Sequence, residues 1–226
     1  MLNVINNHRS IRKYIGPPSD KDLENILHAA IRAPTAWNLM PISIQVVRDK
    51  YLLRGIGEAV GGQSHVINAP VLLVYSLDYA KIISAARKEG VKIGEPGPGL
   101  MLAAAIDAGI MVGWTALAAE SLGYGVSFIA LYSNPCKIAD ILELPRLLIP
   151  VVGLVIGVPG ESPPLRCRQS IDGIVGFDSY GAPTEVKADA VISVYSGRAG
   201  RLLGYVVGIG GYLERVNDEL KKCLQH

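Results

Sequence analysis

The chain has 226 residues, of which 50% are apolar and 6% are aromatic. A chain of this length buries about three quarters of the surface that it exposes when unfolded, so its fold needs no disulfide or metal. Its 22 basic and 20 acidic residues give a net charge of +2, which argues against a nucleic acid or another polyanion as a partner. Charged residues make up 19% of the chain, a composition typical of a compact protein and not of a disordered one.

In the first half of the chain, apolar spacing and capping residues predict helices that alternate with strands. In chain order these are a helix capped by Ser19 and stopped by Pro34, a strand at 42–47, a helix from Asp49 to about Val60, and a buried strand at 69–75. Residues 80–98 are rich in Lys, Glu, Gly and Pro, and we expect a surface excursion there.

The second half contains a long Ala-rich helix at 99–122 with almost no polar face. We expect such a helix to be buried nearly all round, at the centre of the protein or of a dimer. The other predicted elements are a strand at 126–132, a short helix opened by Asn134 and Pro135, a strand at 149–158, an irregular stretch at 159–183 and a helix at 212–224. This pattern predicts one domain over residues 1–226, of α/β or α+β layered class, with a mixed central sheet.

The cysteines and histidines show no metal-binding pattern. The three cysteines are widely spaced without a Cys-x-x-Cys pair, so we expect neither a zinc site nor a disulfide framework. The four histidines lack ligand spacing as well. The N-terminus carries no signal-peptide run, and the apolar segments at 100–132 and 147–158 are interrupted or short, so we expect a cytoplasmic protein outside the membrane.

A basic segment near the N-terminus is the first candidate site. In an extended chain residues 8, 10 and 12 point to one side, so His8, Ser10 and Arg12 would present an imidazole, a hydroxyl and a guanidinium together. This set suits a phosphate monoester or a delocalised ring anion. A solvated basic terminus explains the same residues, and the motif alone favours that interpretation.

Two further segments are candidates of the same kind. Arg166 and Arg168 flank Cys167, and both guanidinium groups would face one way in an extended chain. The pair Gly61-Gly62 permits a turn with positive φ, and Gln63 after it can match a flat heterocycle that presents a carbonyl beside an N–H. Taken alone, each segment is better explained as ordinary surface.

In combination and in this order, the segments resemble the FMN-dependent nitroreductase superfamily, within it the oxygen-insensitive nitroreductase and NADPH–flavin oxidoreductase branch. The resemblance covers residues 1 to about 183. It rests on the segments at 8–12, 33–38, 61–66, 118–125, 144–145, 149–150, 153–157 and 165–168. It implies a nitroreductase-like fold, and a homodimer with FMN bound at the subunit interface. Residues 184–226 then form a weakly matched C-terminal extension.

The resemblance also implies which residues bind FMN. They are His8, Arg9, Ser10, Arg12, Gln63, Ile129, Ala130, Leu131, Arg166 and Arg168. His8, Ser10, Arg166 and Arg168 would bind the phosphate, and Arg9 belongs to the same binding segment without an assigned contact. The backbone at 129–131 would approach N5. Arg12 would flank the N1–C2 edge, where reduction places negative charge that a cation stabilises, while Gln63 would bond the pyrimidine end. The flavin performs the chemistry, so we assign no catalytic residue and no metal ligand.

The implied activity is hydride transfer from NADPH or NADH through FMN to nitroaromatics, quinones or free flavin, by a ping-pong mechanism. The sequence departs from the branch at Ala130 and Leu131, where two glycines are usual, and at Cys167, where proline is common. The departure at Ala130 and Leu131 keeps an alternative open: an FMN-binding carrier or sensor without turnover. Cys167 itself is either a reactive thiol or a small buried spacer.

The C-terminal tail offers a possible site for the reductant. Arg198 and Arg201 lie in a glycine-rich stretch that resembles the branch's basic loop for the NADPH 2′-phosphate. A guanidinium can bind that phosphate through two hydrogen bonds, whereas NADH presents only a hydroxyl there. A solvated loop that contacts nothing is the alternative, so the choice between NADPH and NADH stays open.

Overall fold

A computed structural model describes residues 1–94, 97–195 and 197–225, the last four without their side chains. The chain forms two compact units. Unit 1 comprises Met1–Pro163 together with the C-terminal residues from Glu219, and unit 2 comprises Pro164–Asp218.

Unit 1 is built on a five-stranded sheet. Its strands are β1 (Tyr14–Gly16), β2 (Ile42–Val47), β3 (Val71–Asp78), β4 (Gly125–Ile129) and β5 (Leu148–Pro159). β3 lies between β2 and β5, while β4 and the short β1 both pair with β5.

Every pair among the described strands is antiparallel, so the sheet is not mixed as predicted. The last residue of β2, Val47, pairs with Leu72 at the start of β3. The helical connection between these strands therefore begins and ends at the same end of the sheet. Because of this, helices interleave with strands here without making neighbouring strands parallel.

The helices of unit 1 cover both faces of the sheet. They are α1 (Leu2–Asn6), α2 (Asp20–Ala30), α3 (Lys50–Ala59), α4 (Ser64–Ile67), α5 (Tyr79–Lys88), α6 (Pro98–Ser121) and α7 (Pro135–Ile141). Along β3, Leu73 and Tyr75 join the cluster with α2 and α6, whereas Leu72 and Val74 join the cluster with α3 and α7. The continuous apolar run of β3 follows from this, since alternate residues enter two different cores.

The N-terminal ends of α2 and α3 confirm their predicted caps. The Ser19 side chain accepts a hydrogen bond from the backbone N–H of Asp22. The Asp49 side chain accepts from the N–H groups of Tyr51 and Leu52. Each cap satisfies backbone donors that the first helical turn leaves without partners.

The predicted surface excursion at 80–98 is only partly correct, because its first half is helical. The carboxylate of Asp78, the last residue of β3, accepts from the Lys81 N–H and caps α5.

The expectation that the cysteines form no disulfide framework also needs correction, since Cys136 on α7 is disulfide-bonded.

Helix α6 confirms the predicted helix at 99–122 to within one residue at either end, but only one of its faces is buried. The buried face packs against α2 and the sheet, and the opposite face exposes Leu102, Ile106, Ile110 and Trp114. Burial nearly all round therefore does not hold within one chain. By length and composition α6 is long and apolar enough to cross a membrane. The core helix of a water-soluble protein can meet the same criteria.

Unit 2 contains α8 (Ile171–Ile174), α9 (Thr184–Ser193), α10 (Ala199–Val207) and the first half of α11 (Tyr212–Gln225). Helix α11 confirms the predicted helix at 212–224. Helices α9 and α10 were not predicted. Arg198 precedes α10 and Arg201 lies within its first turn, so the prediction of a glycine-rich loop is wrong for Arg201.

Candidate flavin-binding site

The N-terminal basic segment, residues 8–12, is fastened to the core of unit 1 at its middle. Ile11 is buried, and its N–H donates to the Val126 carbonyl at 2.9 Å. A Cβ added at Gly125 would lie 2.7 Å from Ile11 Cγ1, so this position needs glycine for Ile11 to enter. The Glu161 carboxylate accepts from the N–H groups of Arg12 and Lys13, at 2.6 and 3.1 Å.

Two residues of this segment line a cavity. Arg9 and Ile11 line a cavity of about 440 Å³, whose lining does not include His8, Ser10 or Arg12. The Arg9 guanidinium is engaged on that side, donating from Nη1 to Ser162 Oγ and to the Pro163 carbonyl, both at 3.3 Å. Glu120 and Glu161 line the same cavity, and the grouping of His8, Ser10 and Arg12 on one side stays a prediction.

His8 is half-buried and held at two points. Its Nδ1 lies 2.7 Å from Glu120 Oε1, near the C-terminal end of α6. Its ring and that of Phe128 on β4 meet in an edge-to-face arrangement, with centroids 6.2 Å apart and planes at 74°. Glu120 lies on α6 and Phe128 on β4, and both elements were predicted from their own sequence patterns.

Arg12 is exposed and forms no ion pair with any residue that the structure describes. Its positive charge nevertheless affects the pKa of a residue in the segment after Gly61-Gly62. Burial lowers the pKa of His65, and the Arg12 charge lowers it further, with Glu161 opposing. The structure therefore brings Arg12 and the segment at 63–65 into one electrostatic neighbourhood.

The Gly61-Gly62 turn has the predicted conformation, with φ of +92° and +73°. The turn leads into Gln63, which is half-buried. Gln63 Nε2 donates to the Val60 carbonyl at 2.9 Å, which leaves Oε1 without a hydrogen-bond partner among the described residues. The side chain is thus oriented by its own helix end and keeps an acceptor for a ligand.

The stretch at 129–131 links β4 to a short 3-10 turn. Ile129 and Leu131 are buried, whereas Ala130 is half-buried between them. The Ala130 carbonyl already accepts the Ser133 hydroxyl, at 2.8 Å. With both flanking side chains in the core, this stretch can contact a ligand through its backbone and the Ala130 methyl group.

In unit 2 the second basic segment, residues 166–168, is exposed throughout. Neither arginine forms an ion pair with a described residue, and Arg168 donates only to the carbonyl of Cys167, at 3.3 Å. Cys167 is an exposed free thiol, so the interpretation as a buried spacer is wrong. Arg198 and Arg201 are exposed as well.

Comparison with known proteins decides the family. The model of the nitroreductase family matches residues 5–158, which is more than half of the chain. The chain belongs to the nitroreductase family. This confirms the resemblance drawn from the motifs, and the class of fold with it.

Among related nitroreductases and oxidoreductases, the FMN reductase [NAD(P)H] of Bacillus subtilis strain 168 is 36% identical over 184 residues, covering 80% of this chain and 74% of the relative. The solved structure of YcnD from B. subtilis, described as a hypothetical oxidoreductase, has a TM-score of 0.87 at 26% identity, covering 98% of this chain and 96% of that one. The NADPH:FMN oxidoreductase of Vibrio harveyi, solved with NAD+, has a TM-score of 0.81 at 25% identity, covering 96% of each chain.

Sequence reasoning missed two carboxylates of this nitroreductase. Glu161 has no signal that could have revealed it, because it follows a strand in an ordinary loop. Glu120 did have one: it is an acidic residue in an otherwise almost apolar helix, a position that calls for a polar partner.

Proposed function

We propose that this nitroreductase is an FMN-dependent oxidoreductase that passes hydride from NADPH or NADH to nitroaromatics, quinones or free flavin by a ping-pong mechanism. The observation that carries the proposal is the donor set of the N-terminal basic segment. His8 pairs with Glu120, and the exposed Arg12 guanidinium forms no ion pair with a described residue. The names of the relatives, FMN reductase and NADPH:FMN oxidoreductase, support it.

The residues present fit FMN by their chemistry. Arg12, Arg166 and Arg168 are exposed cations without ion-pair partners among the described residues, as a phosphate or a ring anion requires. Two carboxylates contact the N-terminal basic segment and keep their charge, but each already has partners in the protein: Glu120 pairs with His8, and Glu161 accepts from backbone N–H groups.

We assign the phosphate to His8, Ser10, Arg166 and Arg168, and treat Arg9 as a structural neighbour because its guanidinium bonds to Ser162 and Pro163. Arg12 would stabilise negative charge on the ring system, and Gln63 Oε1 would accept a hydrogen bond from a ring N–H. Backbone at 129–131 would approach the reactive edge. When bound, FMN supplies the hydride chemistry, which is why no side chain serves as nucleophile or base.

We also propose a cytoplasmic homodimer. The support is the exposed apolar face of α6, where Leu102 is 64% and Trp114 is 47% exposed in the single chain. Contiguous apolar surface of this kind is typical of a permanent subunit contact. Sedimentation equilibrium should give a dimer mass, and Ile106→Lys, in the middle of that face, should shift the mass toward the monomer. A monomer in the parent protein would contradict the proposal.

Anaerobic reduction tests the activity. FMN-loaded protein should bleach when NADPH or NADH is added, and should regain its colour when a quinone follows. The pigment released by denaturation should be FMN and not FAD. A protein that stays yellow with both reductants would be a carrier or sensor, and the oxidoreductase proposal would be wrong.

A further inference from the structure

A carboxylate and an imidazole meet between two distant parts of unit 1. Glu120 lies in the last turn of α6, with 13% of its side chain exposed, and His8 has 28% of its side chain exposed. Their 2.7 Å contact joins residues 112 positions apart. Glu120 takes no other hydrogen bond from the described residues, so the pairing with His8 accounts for its polar group.

The chemistry of the two groups determines the direction of the bond. An ionised carboxylate can only accept, so Nδ1 of His8 carries the hydrogen that is donated to Glu120. Nε2 is then the ring nitrogen left for a ligand, and it can donate to a phosphate oxygen only when both ring nitrogens carry a hydrogen. The edge-to-face contact with Phe128 restricts rotation of the His8 ring.

We propose that Glu120 is a positioning residue, which accepts from Nδ1–H of the His8 imidazolium so that the Nε2–H group donates to the phosphate of FMN. The inference rests on the proposed function, because His8 acts on the phosphate only if FMN is the cofactor. A ring already oriented loses less rotational freedom on binding, and that saving appears as affinity. Glu120 itself need not touch FMN.

The chain provides a matched control in its other described histidine–glutamate pair. On α2, His28 Nε2 lies 3.7 Å from Glu24 Oε1, and the two side chains are 68% and 72% exposed. This pair has the same chemistry, but it is not buried and has no ring contact. Exposed pairs of this kind contribute little to stability. Glu24→Gln therefore tests loss of a glutamate charge alone.

Binding of FMN and riboflavin to the FMN-free variants distinguishes positioning from structural damage. Glu120→Ala should weaken FMN binding about tenfold and leave riboflavin, which lacks the phosphate, within about twofold. Glu120→Gln should recover part of the loss, because its amide oxygen still accepts from Nδ1. In a His8→Gln background, Glu120→Ala should have no further effect, since its action passes through His8. Glu24→Gln should bind both ligands as the parent does.

Three results would overturn the inference: unchanged FMN affinity in Glu120→Ala, equal losses for FMN and riboflavin, or additive losses in the double variant. If Glu120→Ala does not fold, Glu120→Gln and nitrogen-15 NMR decide. In FMN-free parent protein the His8 resonances should show Nδ1 protonated, and a proton on Nε2 alone would contradict the bond direction. Equal affinity of the parent for FMN and riboflavin would instead refute the proposed phosphate site, whatever Glu120 does.

Discussion

The two basic segments are built in opposite ways. In the N-terminal basic segment, Ile11 is buried, His8 is held by Glu120, and the backbone at Arg12 is bonded to Glu161. In the second basic segment, all three residues are exposed and the one side-chain bond, from Arg168 to Cys167, is local. The first segment has its geometry before a ligand arrives, whereas the second must acquire it.

This difference has an energetic consequence. Ordering a free arginine side chain costs up to about 2 kcal/mol of rotamer entropy, which is subtracted from the bonds that it makes. A residue held in place does not incur that cost on binding. We therefore expect the second basic segment to contribute charge and the N-terminal basic segment to contribute geometry.

The largest effect should come from removing charge in the second basic segment. Arg168→Ala should weaken FMN binding by about 1.5–3 kcal/mol, or ~10- to ~150-fold, because the phosphate loses a charged donor. Fluorescence titration measures it, with Arg54→Ala, an exposed arginine on α3, as the control. Similar losses in both variants would reduce the segment to nonspecific electrostatics.

The tail arginines extend the comparison to a third exposed group. If they bind the 2′-phosphate, replacing both Arg198 and Arg201 with serine should raise the KM for NADPH several-fold and leave that for NADH nearly unaltered. Steady-state kinetics with both reductants checks this. Equal slowing with the two would mean that the start of α10 acts on folding or closure.

Arg12 tests whether a residue of the N-terminal basic segment affects the reduction potential of FMN more than the affinity for it. Arg12→Gln should lower the reduction potential of bound FMN, because the cation stabilises charge that appears on reduction, and should weaken FMN binding less than Arg168→Ala does. Potentiometry on both variants makes the comparison. An unchanged potential would assign Arg12 to binding only.

Arg12 should also be detectable without any ligand. Its charge contributes to the lowered pKa of His65, so Arg12→Gln should raise that pKa toward its ordinary value. Burial remains, and the rise should be incomplete. NMR titration of the His65 ring gives the answer, and the same variant should lose less stability as the pH falls below about 6.5, where the unfolded state takes up a proton. No change in the pKa would mean that the two segments do not interact.

The smallest effect concerns Cys167. As an exposed thiol it should react with iodoacetamide in FMN-free protein, and FMN bound at Arg166 and Arg168 should slow the reaction. Mass spectrometry of the labelled peptide follows both states. Equal rates would indicate that the second basic segment stays away from the cofactor.

Local signals predicted the elements that have their own capping residues and apolar period. The strand at 42–47 and the helices after Ser19 and Asp49 were predicted from such signals, and the structure agrees. Helix α9 was missed because it has almost no apolar stripe, and α10 because Gly200 and Gly204 suggest a loop.

The candidate site divides in the same way. The residues of the N-terminal basic segment, the Gly61-Gly62 turn and the arginines around Cys167 were found because each is a short motif. The bond between His8 and Glu120 was not, since no local pattern relates residues that lie 112 positions apart. Antiparallel pairing of the strands was missed for a related reason, because it depends on where a connection ends and not on its composition.

The insertion of Ile11 opposite Gly125 has a consequence for how this protein can change. Because neighbouring side chains of an extended segment point to opposite sides, deleting or adding one residue between His8 and Ile11 would turn the side chains before Ile11 to the other side, among them the His8 ring that we propose binds the phosphate. Substitutions there alter one contact at a time, whereas a change of length alters all of them together. We therefore expect related sequences to vary in residue type along this segment and to keep its length.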